Sequence, residues 1–221
     1  MNNSALEKDT VQLLRVTNKI ADEFNVKHYT GVVFLDVRKV FDRLWHQGLI
    51  VKLIIYKYPD YLILILRNFL TVRKFQVRVN HTLSSVGNIQ AGTPQGSSLS
   101  PTLYNIINSD FPKNDKILNG LFANDSAILT QGSNIKFVIQ TLQVQLHRIE
   151  NWCTNCRVTI NSENTKAIIF RKGHSDKVLK PLTFFDKKLS WENQVKYLGI
   201  IFDGKLAFRQ HAKYNNDKFW N

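Results

Sequence analysis

An unbroken apolar run, GVVFL, ends directly at an acidic residue. Val32, Val33, Phe34 and Leu35 would place apolar side chains on both faces of a strand. Such strands lie inside a sheet that is covered on both sides. Asp36 follows, and a carboxylate at the end of a buried strand is costly unless it has a partner or binds a metal ion. The run therefore predicts a central strand, with Asp36 either capping the next helix or contributing to a site, two roles that do not exclude each other.

A second acidic position lies in GLFANDSAILT, where Asn124 and Asp125 separate two short apolar runs. Taken alone this is an ordinary hairpin turn, because Asn and Asp side chains bond nearby backbone. An antiparallel sheet would bring this tip beside Asp36. Carboxylates at that point would suit Mg²⁺, a hard cation that takes oxygen ligands. Paired ions of this kind activate an attacking 3′ oxygen and stabilise the leaving group in nucleotide polymerisation.

The segment IQAGTPQGSSLSPTLYNII reads as a broken loop that leads into a helix. Gly92, Pro94 and Gly96 interrupt regular structure, Pro101 suits a first helical turn, and the helix continues to Ile107. A glycine-containing loop before a helix directs backbone N–H groups outward, which suits a phosphate or a base edge. Most such loops are only turns.

Apolar periodicity predicts the remaining elements. Helices are expected over 5–24, from Arg38 to Pro59, over YLILILRNFL and over IKFVIQTLQVQLHRIENWC. KFQVRVN alternates like a strand with one basic face, and RVTINSENTKAIIF reads as two strands around a polar turn. VKYLGIIFDGKLAF reads as a hairpin that turns at Asp203–Gly204. This order favours an α+β domain with an antiparallel sheet and helices packed on one face.

The charge is strongly basic, with 30 Lys and Arg against 17 Asp and Glu, a net of +13. That excess favours a polyanionic partner, nucleic acid before an acidic membrane surface, although solubility alone is an alternative. Cys153 and Cys156 have only His147 nearby, so no zinc site is expected. No signal peptide or membrane-spanning segment is recognisable. An intracellular protein, in the nucleus or the cytoplasm, is therefore expected.

In order and spacing these motifs resemble the reverse transcriptase domain of non-LTR retrotransposons, especially jockey-like elements. GVVFLDVRKVFDRLWHQGLIVKL is similar to the first palm motif, and FLTVRKFQVRVN with IQAGTPQGSSLSPTLYNIINSDFP is similar to the region through the second. LFANDSAIL stands where the family has an aromatic-Ala-Asp-Asp hairpin. LHRIENWCTNCRVTINSENTKAIIF and VKYLGIIFDGKLAF resemble the segments that follow.

The resemblance implies a polymerase palm whose fingers and thumb are largely missing. Residues 1–30 would form a helix leading into the palm, 31–172 the palm, and 173–221 a primer-grip-like hairpin with the start of a thumb. The implied partners are an RNA template, a DNA primer and dNTPs. The implied cofactor is Mg²⁺, with Mn²⁺ as a possible substitute.

The resemblance also implies roles for single residues. Asp36, Asn124 and Asp125 occupy the catalytic positions, with Asp36 and Asp125 as metal ligands. Phe41 would exclude a ribose 2′-OH, unless it is only a core aromatic of the predicted helix, and both can hold. Gln95 and Gly96 would lie against the incoming nucleotide and the template.

Six further positions are expected to contact nucleic acid. Three of them match the hairpin that supports the primer end, and the other three are basic residues for which solvated surface is an equal alternative. They are Tyr197, Leu198 and Gly199, and Lys74, Arg78 and Lys196, respectively.

Several positions depart from the family pattern. Asn124 replaces an aspartate and so removes one of the three charges that would hold two divalent ions. Beside Asp36, Arg38 replaces a residue that is usually smaller or acidic and Val40 replaces alanine, and Cys156 stands where tryptophan is usual. Asn164 stands where the family has a lysine that could donate a proton to pyrophosphate.

Three functions are compatible with this pattern. The first is an RNA-directed DNA polymerase domain with impaired activity. The second is a catalytically inactive palm remnant that binds nucleic acid without sequence preference. The third is a basic globular protein with no such role.

Overall fold

A computed structural model of the chain describes residues 3–38, 41–94, 96–121, 125–173 and 179–220. The chain divides into two compact units. The first unit contains Met1–Arg38, Pro112–Asn151 and Thr159–Asn221, and the second contains Lys39–Phe111 and Trp152–Val158. In the described part of the chain, every helix is too short or too polar to cross a membrane.

The helices of the described residues are α1 (Asn3–Asn25), α2 (His46–Ile55), α3 (Asp60–Thr71), α4 (Ser100–Ile107), α5 (Ile135–Cys156) and α6 (Arg209–Trp220). The strands are β1 (Tyr29–Asp36), β2 (Lys74–Phe75), β3 (Arg78–Val79), β4 (Thr82–Leu83), β5 (Gly87–Asn88), β6 (Leu118–Gly120), β7 (Asp125–Gly132), β8 (Lys166–Phe170), β9 (Leu182–Phe184), β10 (Lys187–Leu189), β11 (Gln194–Tyr197) and β12 (Ile200–Asp203).

The first unit is built on an antiparallel four-stranded sheet with the order β6-β7-β1-β8. Strand β1 is internal, and its residues from Thr30 to Leu35 are all buried. The prediction of a central strand that contains the GVVFL run and ends at Asp36 is confirmed. The hairpin predicted around Asn124 and Asp125 is also confirmed, because β6 and β7 pair with each other.

Each face of this sheet has its own cover. On one face Val32 and Phe34 pack in a core with α1 and the β11–β12 hairpin. On the other face, a Cβ added at Gly31 would lie 2.7 Å from Val138 and 2.8 Å from Leu142, so α5 packs there. The predicted α+β class with an antiparallel sheet is confirmed. Helix α5 packs on one face of the sheet and helix α1 packs on the other, because β1 is apolar on both sides.

The second unit packs α2 against α3 and α4. The Nζ of Lys52, on α2, donates to the carbonyl of Ile107 at 2.5 Å and to Asp110 at 2.6 Å. The indole of Trp152 donates to the same carboxylate at 2.8 Å. Burial alone would raise the pKa of Asp110, but the bonds from Lys52 and Trp152 and the charge of Lys52 together lower it. Lys52 thus ties α2 to the end of α4.

Two buried thiols lie in the same unit, on the last turns of α5. Cys153 and Cys156 are both buried thiols that form no disulfide. Burial raises the pKa of the Cys156 thiol. A buried, protonated thiol behaves mainly as a small apolar side chain.

Two sequence predictions about local structure are wrong. Helix α2 begins only at His46, with Trp45 as its N-cap, so Asp36 does not cap it and Phe41 is not helical. The last hairpin turns at Leu198–Gly199, where both φ angles are positive (44° and 84°), as a tight two-residue turn requires. Asp203 instead accepts bonds from the backbone N–H groups of Lys205 and Phe208 at 3.0 and 2.8 Å.

Two other segments differ in extent. KFQVRVN forms two separate two-residue strands, β2 and β3, which are exposed on both faces. The first of the two strands predicted in RVTINSENTKAIIF is a single bridge between Ile160 and Val37. The β9–β10 hairpin was not predicted, because its turn residues Phe185 and Asp186 adopt positive φ angles without glycine.

Candidate active site

The two acidic positions meet because of strand register. Strands β1 and β7 pair along their whole length, from Tyr29 opposite Gly132 to Asp36 opposite Asp125. Asp36 is half-buried and Asp125 is exposed, so both lie where the buried part of the sheet gives way to solvent. Like charges on directly opposed residues repel each other. The sheet therefore holds two carboxylates side by side in an arrangement that a cation would stabilise.

Asp36 is also held by a polar turn that follows the Val37–Ile160 bridge. The side-chain amides of Asn164 and Asn161 donate to Oδ2 of Asp36 at 2.8 and 3.3 Å. The backbone N–H of Asn161 donates to the carbonyl of Asp36 at 2.7 Å. Arg38 donates through Nη2 to Oδ1 of Asn161 at 2.8 Å. One carboxylate oxygen of Asp36 therefore accepts two amide hydrogen bonds.

The donors present fit a partly hydrated divalent ion. Carboxylate oxygens are the ligands that Mg²⁺ takes, and Mg²⁺ keeps several waters or phosphate oxygens in its shell. Among the described residues, no group of three or more His, Cys, Asp or Glu is placed so that it could hold a metal ion. Asn124, the third expected catalytic position, lies outside the described residues, as does Val40. Two carboxylates would leave the other coordination positions of such an ion to water or phosphate oxygens.

Phe41 and the glycine-containing loop lie together in the second unit. The backbone N–H of Thr93 donates to the carbonyl of Phe41 at 2.7 Å, and the Phe41 ring lies 5.8 Å from that of Tyr104. Burial raises the pKa of Tyr104. Gly96 is exposed with a φ of 82°, while Gln95 lies outside the described residues. The nucleotide-binding roles expected of Phe41, Gln95 and Gly96 stay predictions.

The predicted primer-supporting hairpin is β11–β12, in the first unit. Tyr197 is a core residue, 3% exposed, whose ring centroid lies 4.6 Å from that of Phe34. Leu198 is half-buried, whereas Gly199 and Lys196 are exposed. A bound nucleic-acid strand could therefore contact Lys196, Leu198 and Gly199, whereas the Tyr197 side chain is buried.

Lys196 has a partner on the last helix. Its Nζ donates to the hydroxyl of Tyr214 at 3.0 Å. This hydrogen bond and the lysine charge lower the pKa of Tyr214. Lys74 and Arg78 are exposed in the second unit, where Arg78 donates to the carbonyl of Asn80 at 3.1 Å. All three basic side chains are accessible, and their contacts with nucleic acid stay predictions.

Comparison with known proteins decides the family. A profile of the family described as reverse transcriptase (RNA-dependent DNA polymerase) matches residues 4–202. The chain belongs to the reverse transcriptase family. The match covers both the Asp36–Asp125 pair and most of the β11–β12 hairpin.

The chain is also similar to curated polymerases of mobile elements. The chain is 35% identical over 208 residues to the "RNA-directed DNA polymerase from mobile element jockey" of Drosophila funebris, and 36% identical over 215 residues to that of Drosophila melanogaster. It is 33% identical over 211 residues to the "Probable RNA-directed DNA polymerase from transposon BS" of Drosophila melanogaster. These alignments cover 90–91% of this chain but only 22–23% of each relative. The chain thus spans about a fifth of the length of these relatives.

Solved structures agree on the fold. A telomerase from Candida tropicalis, in complex with a fragment of telomeric RNA, superposes with a TM-score of 0.60 at 14% identity, covering 90% of this chain and 33% of that one. A truncated apo telomerase from the same organism gives 0.56 at 16% identity, covering 94% and 39%. At such identities the likeness concerns the fold, which is that of a polymerase palm. By family the chain is a reverse transcriptase domain, and reverse transcriptases use divalent metal ions.

Sequence reasoning missed Asn161 altogether and did not predict the contacts that Arg38 and Asn164 make at the site. Arg38 and Asn164 were noticed as departures from the family pattern, but the bond of Asn164 to Asp36 and that of Arg38 to Asn161 were not expected. Asn161 was not singled out. The polar turn NSEN, which carries both asparagines, was the available signal. Its placement beside Asp36 depends on the single Val37–Ile160 bridge, which no local pattern reveals.

Proposed function

We propose that this chain is the RNA-directed DNA polymerase domain of a jockey-like non-LTR mobile element, with impaired activity in this copy. Its reaction is template-directed addition of dNTPs to a primer 3′-OH, with an RNA template and a DNA primer. The observation that carries the proposal is the register that pairs Asp36 with Asp125 at the end of the central strands. The identity with jockey polymerases over 90% of the chain supports the same reaction.

Residues 1–30 would lead into the palm, 31–172 form the palm, and 173–221 carry the primer-grip-like hairpin and the start of the thumb. The work would take place inside the cell, in the nucleus or the cytoplasm. The net charge of +13 suits a domain that binds a polyanion.

Asp36 and Asp125 would hold the divalent cofactor, Mg²⁺ with Mn²⁺ as a substitute. When bound, such ions favour the deprotonated primer oxygen and neutralise charge on the departing pyrophosphate. The protein's own contribution is orientation. The β1–β7 register fixes the spacing of the two carboxylates, and the amides of Asn161 and Asn164 fix the rotation of Asp36. Preorganised groups of this kind act without reorganisation during the reaction.

Phe41 would exclude the ribose 2′-OH of an incoming nucleotide, while Gln95 and Gly96 would contact that nucleotide. Lys196 and Gly199 are exposed on the β11–β12 hairpin and would contact the primer strand, with Leu198 beside them. Tyr197 would act indirectly, because its burial against Phe34 fixes the hairpin on the sheet. Lys74 and Arg78 would contact the nucleic-acid backbone through charge.

The expected impairment has two sources. Asn124 offers a neutral oxygen where a carboxylate would add a charge, and loss of one preorganised electrostatic group costs roughly a hundredfold or more in rate. Asn164 directs an amide at Asp36 and cannot donate a proton as an ammonium would. Together these residues favour a second candidate function, a catalytically inactive palm that still binds nucleic acid without sequence preference.

Primer extension on poly(rA)/oligo(dT) tests the first proposal. The chain is assayed with Mg²⁺ or Mn²⁺ beside Asn124→Asp, with Asp36→Ala as the blank. We expect Asn124→Asp to extend the primer roughly a hundredfold faster than the parent chain. Equal rates for the two, both above the blank, would contradict a defect at position 124. If neither protein extends the primer although both are folded, the inactive palm would be favoured.

Salt-dependent binding tests the second candidate. Affinity for single-stranded RNA should fall steeply as salt rises, because each phosphate contact releases counterions. Neutralising one true phosphate contact, for example by Lys196→Gln, should reduce the slope of log K against log salt by about 0.7. A slope that is unchanged in Lys74→Gln, Arg78→Gln and Lys196→Gln would remove all three residues from the interface.

A further inference from the structure

Two side chains outside the expected site meet at one backbone carbonyl of the glycine-containing loop. Nε2 of His46, the first residue of α2, lies 2.6 Å from the carbonyl oxygen of Gly92. Nη2 of Arg73 donates to the same oxygen, and it also donates to the carbonyl of Ala91 at 3.3 Å. A carbonyl oxygen has two lone pairs, so these two donors can saturate that of Gly92. His46 and Arg73 are called the loop anchor below.

The chemistry of the loop anchor determines where its protons lie. A carbonyl oxygen only accepts, so Nε2 of His46 must carry the hydrogen that it donates to Gly92. A guanidinium only donates, so the 3.3 Å approach of Arg73 Nη2 to His46 Nε2 is a contact between two donors and not a hydrogen bond. The two side chains lie together because they share an acceptor. The Gly92 carbonyl is thus held from two directions, and loss of one donor would let its peptide group tilt.

Both residues of the loop anchor are themselves fixed. His46 is 6% exposed, and Arg73 is half-buried. Nε of Arg73 donates to the carbonyl of Leu70, in the last turn of α3, at 3.0 Å. The carbonyl of Arg73 accepts a bond from the backbone N–H of Ile89 at 2.9 Å. Side chains that are locked in this way can hold a site in place, and Arg73 ties the end of α3 to the loop.

The anchored loop in turn holds the backbone of Phe41. The backbone N–H of Gly92 donates to the carbonyl of Leu44 at 2.9 Å, and that of Thr93 donates to the carbonyl of Phe41 at 2.7 Å. A Cβ added at Gly92 would lie 2.5 Å from the carbonyl oxygen of Asp42, so the two segments are in close contact. Phe41 lies in a turn before α2, and its place therefore depends on these contacts rather than on a helix or a strand.

We propose that the loop anchor positions Phe41 and thereby sets how strongly the site rejects ribonucleotides. This inference rests on the proposed function, in which Phe41 excludes the 2′-OH of an incoming nucleotide. A side chain that discriminates by contact must be held within about 0.5 Å of its working position. His46 and Arg73 are positioning residues, because they act on Phe41 only through the backbone of the loop.

A weakened loop anchor should affect the two classes of nucleotide unequally. A dNTP has no 2′-OH, so a displaced Phe41 ring changes its fit little. An rNTP gains the space that the ring leaves. The presence or absence of one small group in a pocket changes kcat/KM by about 10–200-fold. We expect the preference for dTTP over UTP, expressed as the ratio of their kcat/KM values, to fall by roughly tenfold.

Incorporation of dTTP and of UTP on poly(rA)/oligo(dT) with Mg²⁺ measures this ratio, in the parent chain and in Asn124→Asp. Arg73→Lys keeps the charge but loses the planar fork that reaches both Leu70 and Gly92. His46→Leu loses the donor, whereas His46→Gln restores one through its side-chain amide.

Arg67→Lys is the matched control, since Arg67 is an exposed arginine on α3. The expected result is a roughly tenfold lower dTTP/UTP ratio in Arg73→Lys and His46→Leu. The ratio should stay near the parent value in His46→Gln and Arg67→Lys.

The ratio separates positioning from mere loss of stability. A partly unfolded variant loses dTTP and UTP incorporation in equal proportion, so its ratio stays at the parent value. An unchanged ratio in Arg73→Lys and His46→Leu, with dTTP still incorporated, would overturn this inference and leave the proposed function intact. If neither the parent chain nor Asn124→Asp incorporates dTTP, the proposed function fails and this inference fails with it.

Hydrogen exchange gives a second readout for a variant that is folded but inactive. The backbone amide hydrogens of Gly92 and Thr93 are bonded to the segment that carries Phe41, so they should exchange faster in Arg73→Lys and His46→Leu than in the parent chain. Exchange should be unchanged in Arg67→Lys. Equal protection of these two amides in the parent chain and in both anchor variants would overturn the inference.

Discussion

Gly31 offers a sharp test of how the central sheet is packed. In strand β1, a Cβ at this position would lie 2.7 Å from Cγ1 of Val138 and 2.8 Å from Cδ1 of Leu142, both well inside ordinary contact distance. Both neighbours are 0% exposed, so neither can swing into solvent. Overpacking of this kind costs about 1–3 kcal/mol. Alanine also restricts the unfolded chain and returns about 0.4–1 kcal/mol. Gly31→Ala should therefore destabilise the protein by about 1–2 kcal/mol.

Urea unfolding followed by circular dichroism measures this loss, which should lower the midpoint by about 0.5 M or more. Gly132→Ala is the matched control in the paired strand. Its added Cβ would meet Phe137 at 3.2 Å, and that ring is 38% exposed and can move. We expect the control to stay within about 0.5 kcal/mol of the parent.

A double mutant isolates the contact itself. Val138→Ala removes Cγ1, the nearest atom to the added methyl group. The pair Gly31→Ala with Val138→Ala should therefore be more stable than the sum of the single changes predicts, by about 0.5–1 kcal/mol. Strict additivity, or a Gly31→Ala variant as stable as the parent, would refute the packing of α5 on this face of the sheet.

Two further predictions concern the second unit. Burial would raise the pKa of Asp110, but the hydrogen bond and the charge of Lys52 lower it below its ordinary value of 3.8. The ionised carboxylate therefore stabilises the fold at any pH above 3.8, and this contribution is lost as the pH falls through the lower pKa of the folded state. Asp110→Asn should lower the free energy of unfolding by about 1 kcal/mol at pH 7 and by less at pH 3, as measured by urea unfolding at both pH values. An equal loss at the two pH values would contradict this. Gly92→Ala, with a φ of 80° and an added Cβ 2.5 Å from the carbonyl oxygen of Asp42, should cost about 2–3 kcal/mol. Gly96→Ala, with a φ of 82° and nothing near the added Cβ, should cost only about 1 kcal/mol, and similar losses for the two would contradict the role of the clash.

Local patterns predicted the elements that carry the site. The apolar run before Asp36 determines a buried strand whatever else the chain does, because solvent on either face would expose four large side chains. The apolar runs around Asp125 determine the hairpin in the same way. Pairing of the two strands then follows from an antiparallel sheet, and the register leaves both carboxylates at the ends of its two central strands. The juxtaposition of Asp36 and Asp125 was thus predictable in outline.

What failed depended on competition between local signals and distant partners. Asp203–Gly204 is a strong turn dipeptide, yet the chain turns earlier, at Leu198–Gly199. Phe202 is 0% exposed and its ring centroid lies 6.4 Å from that of Phe34, so core packing holds β12 as a strand up to Asp203, where the hairpin turn had been expected. Asn161 was missed for a related reason, since its contact with Asp36 spans 125 positions of sequence.

The residues that align β1 with β7 are not the residues that would carry the chemistry of the site. The side chains that align the two strands are buried apolar residues such as Val33 and Ile128, and neither takes part in any reaction. Substitutions of the polar residues at the strand ends would leave this alignment untouched. A copy of a mobile element can therefore lose its activity long before it loses the frame on which that activity was built. Reversal at one or two surface positions is then a shorter path back to function than any repair of the core.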